Sequence, residues 1–259
     1  MYTFYSLRFA KFCFINLLLP LYFAVLYFGC NNKASEIPLN KEARSEESIV
    51  EEKQEIQGAL YTLATAIRTD FERAKKNNPG AFTSDTANFR KVDGYLSLQI
   101  DGEWKQLYSF KDTLNFTDSD DTDIREYKYL GQLQPVTKYV VAGYFWEFYE
   151  CYLVDKETGK IDTTWNSPIL SPDNKFIASL SLPYGLEGLP NGIQIFKAEN
   201  EGEKITKFIE INQDEWSPYE AYWESVNSII IKILPISRVL EINGIPKEED
   251  FSYLRLSIN

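Results

Sequence analysis

The sequence predicts a mainly β domain of antiparallel sheets with one amphipathic helix in front of it. Three observations carry that expectation. From Phe89 onward the apolar period is two, as in Tyr95–Ile100, where Leu96, Leu98 and Ile100 alternate with Tyr95, Ser97 and Gln99. Asp101-Gly102 then separates this run from Trp104-Lys105-Gln106-Leu107-Tyr108, a strong hairpin signal. Finally, only one long stretch, within 49–80, carries a helical apolar period.

Residues 1–30 read MYTFYSLRFAKFCFINLLLPLYFAVLYFGC. Arg8 and Lys11 form a charged start, Phe12 to Phe28 an apolar core, and Gly29 is the small residue before a break into polar Asn31-Asn32-Lys33. That order is the pattern of an export signal, and Asn16 and Pro20 weaken it as a permanent span. Leu26, Gly29 and Cys30 resemble the lipobox of bacterial lipoproteins, in the relaxed form similar to that of Bacteroidota and spirochaetes. The resemblance implies removal of residues 1–29, acylation of Cys30 as the lipid anchor, and residence in a membrane through that anchor. Asn31 follows Cys30, where an aspartate would imply retention at an inner membrane, so the outer membrane is expected. The alternative is an uncleaved signal anchor in which Cys30 is incidental.

Residues 30–48 are polar and charged and read as a flexible tether. Across 49–80 the spacing predicts a helix packed on the β domain. Ile49, Ile56, Leu60, Leu63, Ile67, Phe71 and Ala74 fall on one face, Ser48 and Glu51 form a capping box, and Asn77-Asn78-Pro79-Gly80 stops the run.

The β-rich part is expected over 89–259. Lys138 to Asp155 is too long for one strand and reads as two that meet between Phe145 and Tyr149. Lys156-Glu157-Thr158-Gly159 and Asn200-Glu201-Gly202 read as turns, and Gly192–Phe196 and Ile205–Ile211 as strands. Ser171-Pro172-Asp173-Asn174-Lys175 followed by Phe176-Ile177-Ala178 resembles the S-P-D-G-K-x-I-A element of WD-like propeller repeats, including those of the Tol-associated periplasmic propeller. In such a turn Pro fixes φ, Asp bonds its own backbone, and Asn174 stands where a residue tolerant of the left-handed region is needed. Trp216-Ser217-Pro218 echoes Trp165-Asn166-Ser167-Pro168 at a distance of 51 residues, close to the 40–50 residues of a blade. The resemblance implies propeller-like antiparallel sheets; a β-sandwich that shares the turn is the alternative.

Composition bounds the function. The formal charge is −11, and −13 once residues 1–29 are removed, which argues against nucleic-acid binding. Histidine is absent from the sequence, which excludes Ser-His-Asp and Cys-His mechanisms and His-ligated metals. Cys13 lies in the signal and Cys30 at its end, so Cys151 is left alone, and its apolar, aromatic neighbours predict a buried side chain rather than a nucleophile. Asp118, Asp120, Asp121 and Asp123 crowd one loop, but Asp123 stands where a calcium hand needs Gly and Tyr129 where it needs Glu. Glu147 and Glu150 lie among Trp146, Phe148 and Tyr149, and Glu220 and Glu224 among Trp216, Tyr219, Tyr222 and Trp223. The first pair is the candidate for glycan hydrolysis by paired carboxylates; aromatic packing with a polar outer face is the simpler account of both. With no cofactor or metal motif, the expectation is a non-enzymatic envelope lipoprotein that presents a β domain to a protein or glycan partner. A carboxylate-pair glycan hydrolase is the alternative.

Overall fold

The computed structural model describes residues 60–78, 83–115, 123–146, 148–182 and 188–259. The expected export signal, Cys30, the tether, the capping box at Ser48, Asp118, Asp120, Asp121 and Glu147 lie outside the described residues.

The fold is mainly β, built of antiparallel sheets, none of which closes on itself. Sheet I is the meander β2 (Phe89–Val92), β3 (Tyr95–Ile100) and β4 (Glu103–Lys111). Sheet II follows with β5 (Thr113–Asn115), β6 (Asp123–Leu133), β7 (Lys138–Phe145), β8 (Tyr149–Asp155) and β9 (Ile161–Thr164). Sheet III holds β10 (Ile169–Leu170), β11 (Phe176–Ser181), β12 (Gly192–Glu199) and β13 (Lys204–Asn212). Sheet IV joins β14 (Trp216–Ser225), β15 (Ser228–Pro235) and β16 (Ser252–Ile258) to an early strand, β1 (Tyr61–Ala66), in the order β1-β16-β15-β14.

Strand alternation decides which sheet meets which. In β7, Tyr139 and Val141 join Leu96, Leu98 and Ile100 of sheet I in one core. Val140 and Ala142 point the other way, with Leu153 toward Ile177, Phe196 and Ile205 of sheet III. Sheet III repeats the device: Ala178, Ile193 and Ile195 turn to Ile229, Ile231 and Leu256 of sheet IV. Sheets II and III are therefore buried on both faces, which is why β7 reads as an apolar run rather than an alternating one.

The far face of sheet IV is covered by α1 (Arg68–Asn77), whose Phe71 and Ala74 pack on Ile230 and Tyr253. The helix expected across 49–80 is thus corrected. Residues 49–59 and 79–80 of that expectation lie outside the described residues. Within 60–78 only Arg68–Asn77 is helical, and Tyr61–Ala66 is a strand paired in register with β16, from Tyr61 opposite Ile258 to Ala66 opposite Tyr253. Thr62 and Thr65 favour the extended chain. Tyr61 and Leu63 pack on the core between sheets III and IV, a burial that a local helix would forgo. Among the described residues the β-rich part accordingly includes Tyr61–Ala66, ahead of Phe89. The stop at Asn77-Asn78 holds, since Asn78 is already extended.

The turns fall where the sequence sets them. Asp101 and Gly102 both take positive φ, the geometry of a two-residue hairpin between β3 and β4. Asn174 sits at φ 62°, its N–H donates to the Ser171 carbonyl at 2.9 Å, and the Ser171 hydroxyl donates to Asp173 at 2.8 Å. This turn delivers the chain into buried Ile177 and Ala178. The run Lys138–Asp155 divides into β7 and β8, joined around residues 146–148.

Candidate functional site

The segment before β10 leaves the ladders and is held instead by side chains. Asn166 N–H donates to Ser179 Oγ at 2.7 Å, while its carbonyl accepts from Thr164 Oγ1 at 2.8 Å and Ser179 Oγ at 3.0 Å. Asn166 Oδ1 in turn accepts the Ser167 N–H at 2.7 Å. Such pairing lets irregular backbone stand beside a buried core. Facing it is β14, the edge strand of sheet IV, where Pro218 lacks an N–H and the register slips between Pro218 and Glu220. Trp223 ties the two walls together by donating its indole N–H to the Ile169 carbonyl at 2.9 Å.

Between these walls lies a cleft of about 330 Å³. Ile169, Leu180, Leu182 and Ala221 give it an apolar lining, Asn166 and Ser167 bring an amide and a hydroxyl, and Asn78 comes from the end of α1. Pro218, Tyr219, Glu220 and Tyr222 form the other wall. The Glu220 carboxylate accepts from Lys75 Nζ at 2.8 Å and from Tyr222 Oη at 3.0 Å. The Glu220 bond raises the Lys75 ammonium above its ordinary value, so Lys75 stays charged around neutrality. Burial, reinforced by the Glu220 charge, raises the Tyr222 phenol, which stays a neutral donor. Tyr219 is 39% exposed and its ring stands edge-on to Phe251, centroids 4.8 Å apart. An apolar slot with a ring at its rim and a few fixed polar groups is the ordinary make-up of a small-ligand site.

Of the residues singled out in the sequence, Tyr219, Glu220 and Tyr222 come together here. Trp216 and Trp223 are core residues between sheets III and IV. Glu224 belongs elsewhere: Arg255 and Arg73 bind it at 2.7 Å and 3.1 Å, fastening α1 to sheet IV. Glu150 lies on β8 and accepts from Tyr152 Oη at 2.7 Å; its expected partner Glu147 lies outside the described residues. Asp123 pairs with Arg125 at 2.7 Å.

Cys151 is fully buried among Val140, Ala142 and Leu153, as its neighbours in sequence imply. Burial pushes its thiol up to about 11, despite hydrogen-bond contacts with Tyr149 Oη at 3.0 Å and Ser167 Oγ at 3.8 Å. A thiol held protonated is not a nucleophile. Among the described residues no group of three or more His, Cys, Asp and Glu is arranged to hold a metal ion, and no helix is long and apolar enough to cross a membrane.

Sequence reading missed Asn166, Ser167 and Asn78 as cleft residues, although a signal was present. Of the two echoing stretches, Trp165-Asn166-Ser167-Pro168 leads into β10 and Trp216-Ser217-Pro218 opens β14, and those two strands are the facing walls. No protein-family model, no curated protein and no solved structure matches this chain.

Proposed function

We propose that the chain is a cell-envelope lipoprotein, anchored through Cys30, whose successive sheets are propeller-like blades and whose domain is a non-enzymatic binding module for a glycan. The blade reading is supported by order and packing. Each of sheets I to III is a meander of consecutive strands, neighbours pack face to face, and β1 supplies the outermost strand of the last sheet. The single observation behind the binding role is the cleft between β10 and β14. Tyr219 offers a ring face to the C–H side of a sugar, while Asn166, Ser167 and Glu220 offer partners for its hydroxyls.

Trp223 spans the two walls of the cleft, so its fluorescence reports occupancy. Titration of the protein with oligosaccharides released from envelope polysaccharides is expected to give a saturable change that Tyr219→Ala removes. An unresponsive protein would refute the binding role. New reducing ends during the titration, abolished by Glu150→Gln, would establish the glycan hydrolase instead.

A further inference from the structure

The outer face of sheet I exposes large side chains, Val92 and Tyr108 among them. Its inner face joins sheet II through Leu96, Leu98 and Ile100. On the outer face the register sets Arg90 and Gln106 beside Ser97, Val92 beside Tyr95, and Trp104 beside Gln99. The Arg90 guanidinium lies 4.4 Å over the Trp104 ring, and Lys111 Nζ lies 4.9 Å over Tyr95. Tyr95 in turn meets Tyr108 edge-on at 5.9 Å. Tyr108 is 78% exposed and Trp104 37%.

The charge of this face runs against that of the chain. In a protein of net charge −11, Arg73, Lys91, Lys138 and Arg255 are all ion-paired. Arg90 and Lys111 instead rest on rings, with no carboxylate partner among the described residues. Glu103 stands opposite Ile100, in the inward row. The face thus combines two unneutralised cations, exposed ring faces and the amides of Gln99 and Gln106.

We infer that the outer face of sheet I binds an acidic polysaccharide, with Arg90 and Lys111 taking its carboxylates and Trp104 and Tyr108 stacking on its sugar rings. Rings supply an apolar plane for sugar C–H groups, and the cations supply the charge match. A polymer with spaced acid groups meets this face alone. An anionic bilayer or a nucleic acid would also meet the field of the acidic remainder, which opposes both. The inference is independent of the cleft.

The test is affinity electrophoresis of the full-length protein in detergent, in gels containing polygalacturonate or neutral dextran. Retention by polygalacturonate that falls with salt, and none by dextran, is expected. Tyr108→Ala should weaken retention about tenfold, and the double change Arg90→Gln with Lys111→Gln should abolish it, both with unchanged thermal midpoints because these side chains are exposed. Tyr219→Ala in the cleft should leave retention intact. Failure of polygalacturonate to retain the protein would overturn the inference, as would equal retention by dextran or indifference to both surface variants. Loss through Tyr219→Ala alone would move the site to the cleft. Binding to phosphatidylglycerol vesicles through Arg90 and Lys111, without retention by polygalacturonate, would make the face a lipid-docking surface and also overturn it.

Discussion

Arg255, on the last strand, donates from Nη2 to Asp70 of α1 at 2.8 Å, across 185 positions of sequence. Its Nε donates to Glu224 at 2.7 Å, and Arg73 closes the set with bonds to Asp70 at 2.6 Å and Glu224 at 3.1 Å. Two arginines and two carboxylates alternate, so each carboxylate is held by both cations. The bond from Arg255 accordingly keeps the Glu224 carboxyl below the usual range.

Replacing Arg255 with Leu leaves Asp70 and Glu224 sharing Arg73 alone, on a helix that otherwise holds by Phe71, Ala74 and the Lys75–Glu220 pair. The expected loss is about 1–2 kcal/mol, more than an isolated surface pair because the residues are partly buried and networked. Amide exchange should rise first in α1. Arg255→Lys should fall between, and an unchanged exchange rate in α1 would show that the Arg255 network does not seat the helix.

Lys138 and Asp155 form a buried pair at 2.8 Å, at matched positions of β7 and β8. Burial alone would raise the Asp155 carboxyl, but the bonds from Lys138 and Thr158 outweigh it and hold the group at about 2, against an ordinary 3.8. Because the folded value is the lower one, the contribution is complete above about pH 4 and is lost as pH falls toward 2, a swing of roughly 2 kcal/mol. Urea midpoints across that window should show the slope in wild type. In Asp155→Asn the slope should be shallower by about one proton, on a protein already weakened by an uncompensated Lys138.

Cys151 should resist alkylation. With its thiol at about 11, only about one molecule in a thousand carries the thiolate at pH 8, and the group is also shielded from reagent. Iodoacetamide followed by peptide mapping should leave Cys151 unmodified in native protein and modified in urea. Rapid labelling of the native chain at this position would contradict the packing of β8 on β11.

Cys30→Ser is expected to block both acylation and processing. The precursor should run about 3 kDa heavier, the mass of 29 retained residues at roughly 110 Da each, and should take up no labelled fatty acid. Processing of the variant to wild-type size would refute the lipoprotein reading. A wild-type protein that keeps its initiating methionine and takes up no label would point to the signal anchor.

Local chemistry made much of this fold legible. Asp101-Gly102, Asn174 and Asn200-Glu201-Gly202 each hold residues of positive φ at a turn, and that requirement is written in residue type. The division of Lys138–Asp155 followed from strand length. The strand at Tyr61–Ala66 was hidden because Leu60, Leu63 and Ile67 satisfy a helical spacing, while its true partner lies beyond residue 250 and leaves no local trace. The cleft was half visible for a related reason. Tyr219, Glu220 and Tyr222 announce themselves as a cluster, whereas Asn166 and Ser167 become a wall only when sheets III and IV meet.

The pairing of Tyr61 with Ile258 also sets a timetable. A ribosome adds about 5–20 residues per second, so β1 waits roughly 10–40 s for the 197 residues that complete its partner strand. During that interval it offers an unsatisfied edge to whatever surrounds it, which favours a holding chaperone and penalises interrupted synthesis. A chain broken off before β16 would lack the neighbour of both β1 and β15, and its last sheet would be a proteolytic target rather than a finished wall. Arrival of the whole chain, rather than any single contact, thus licenses the final assembly step.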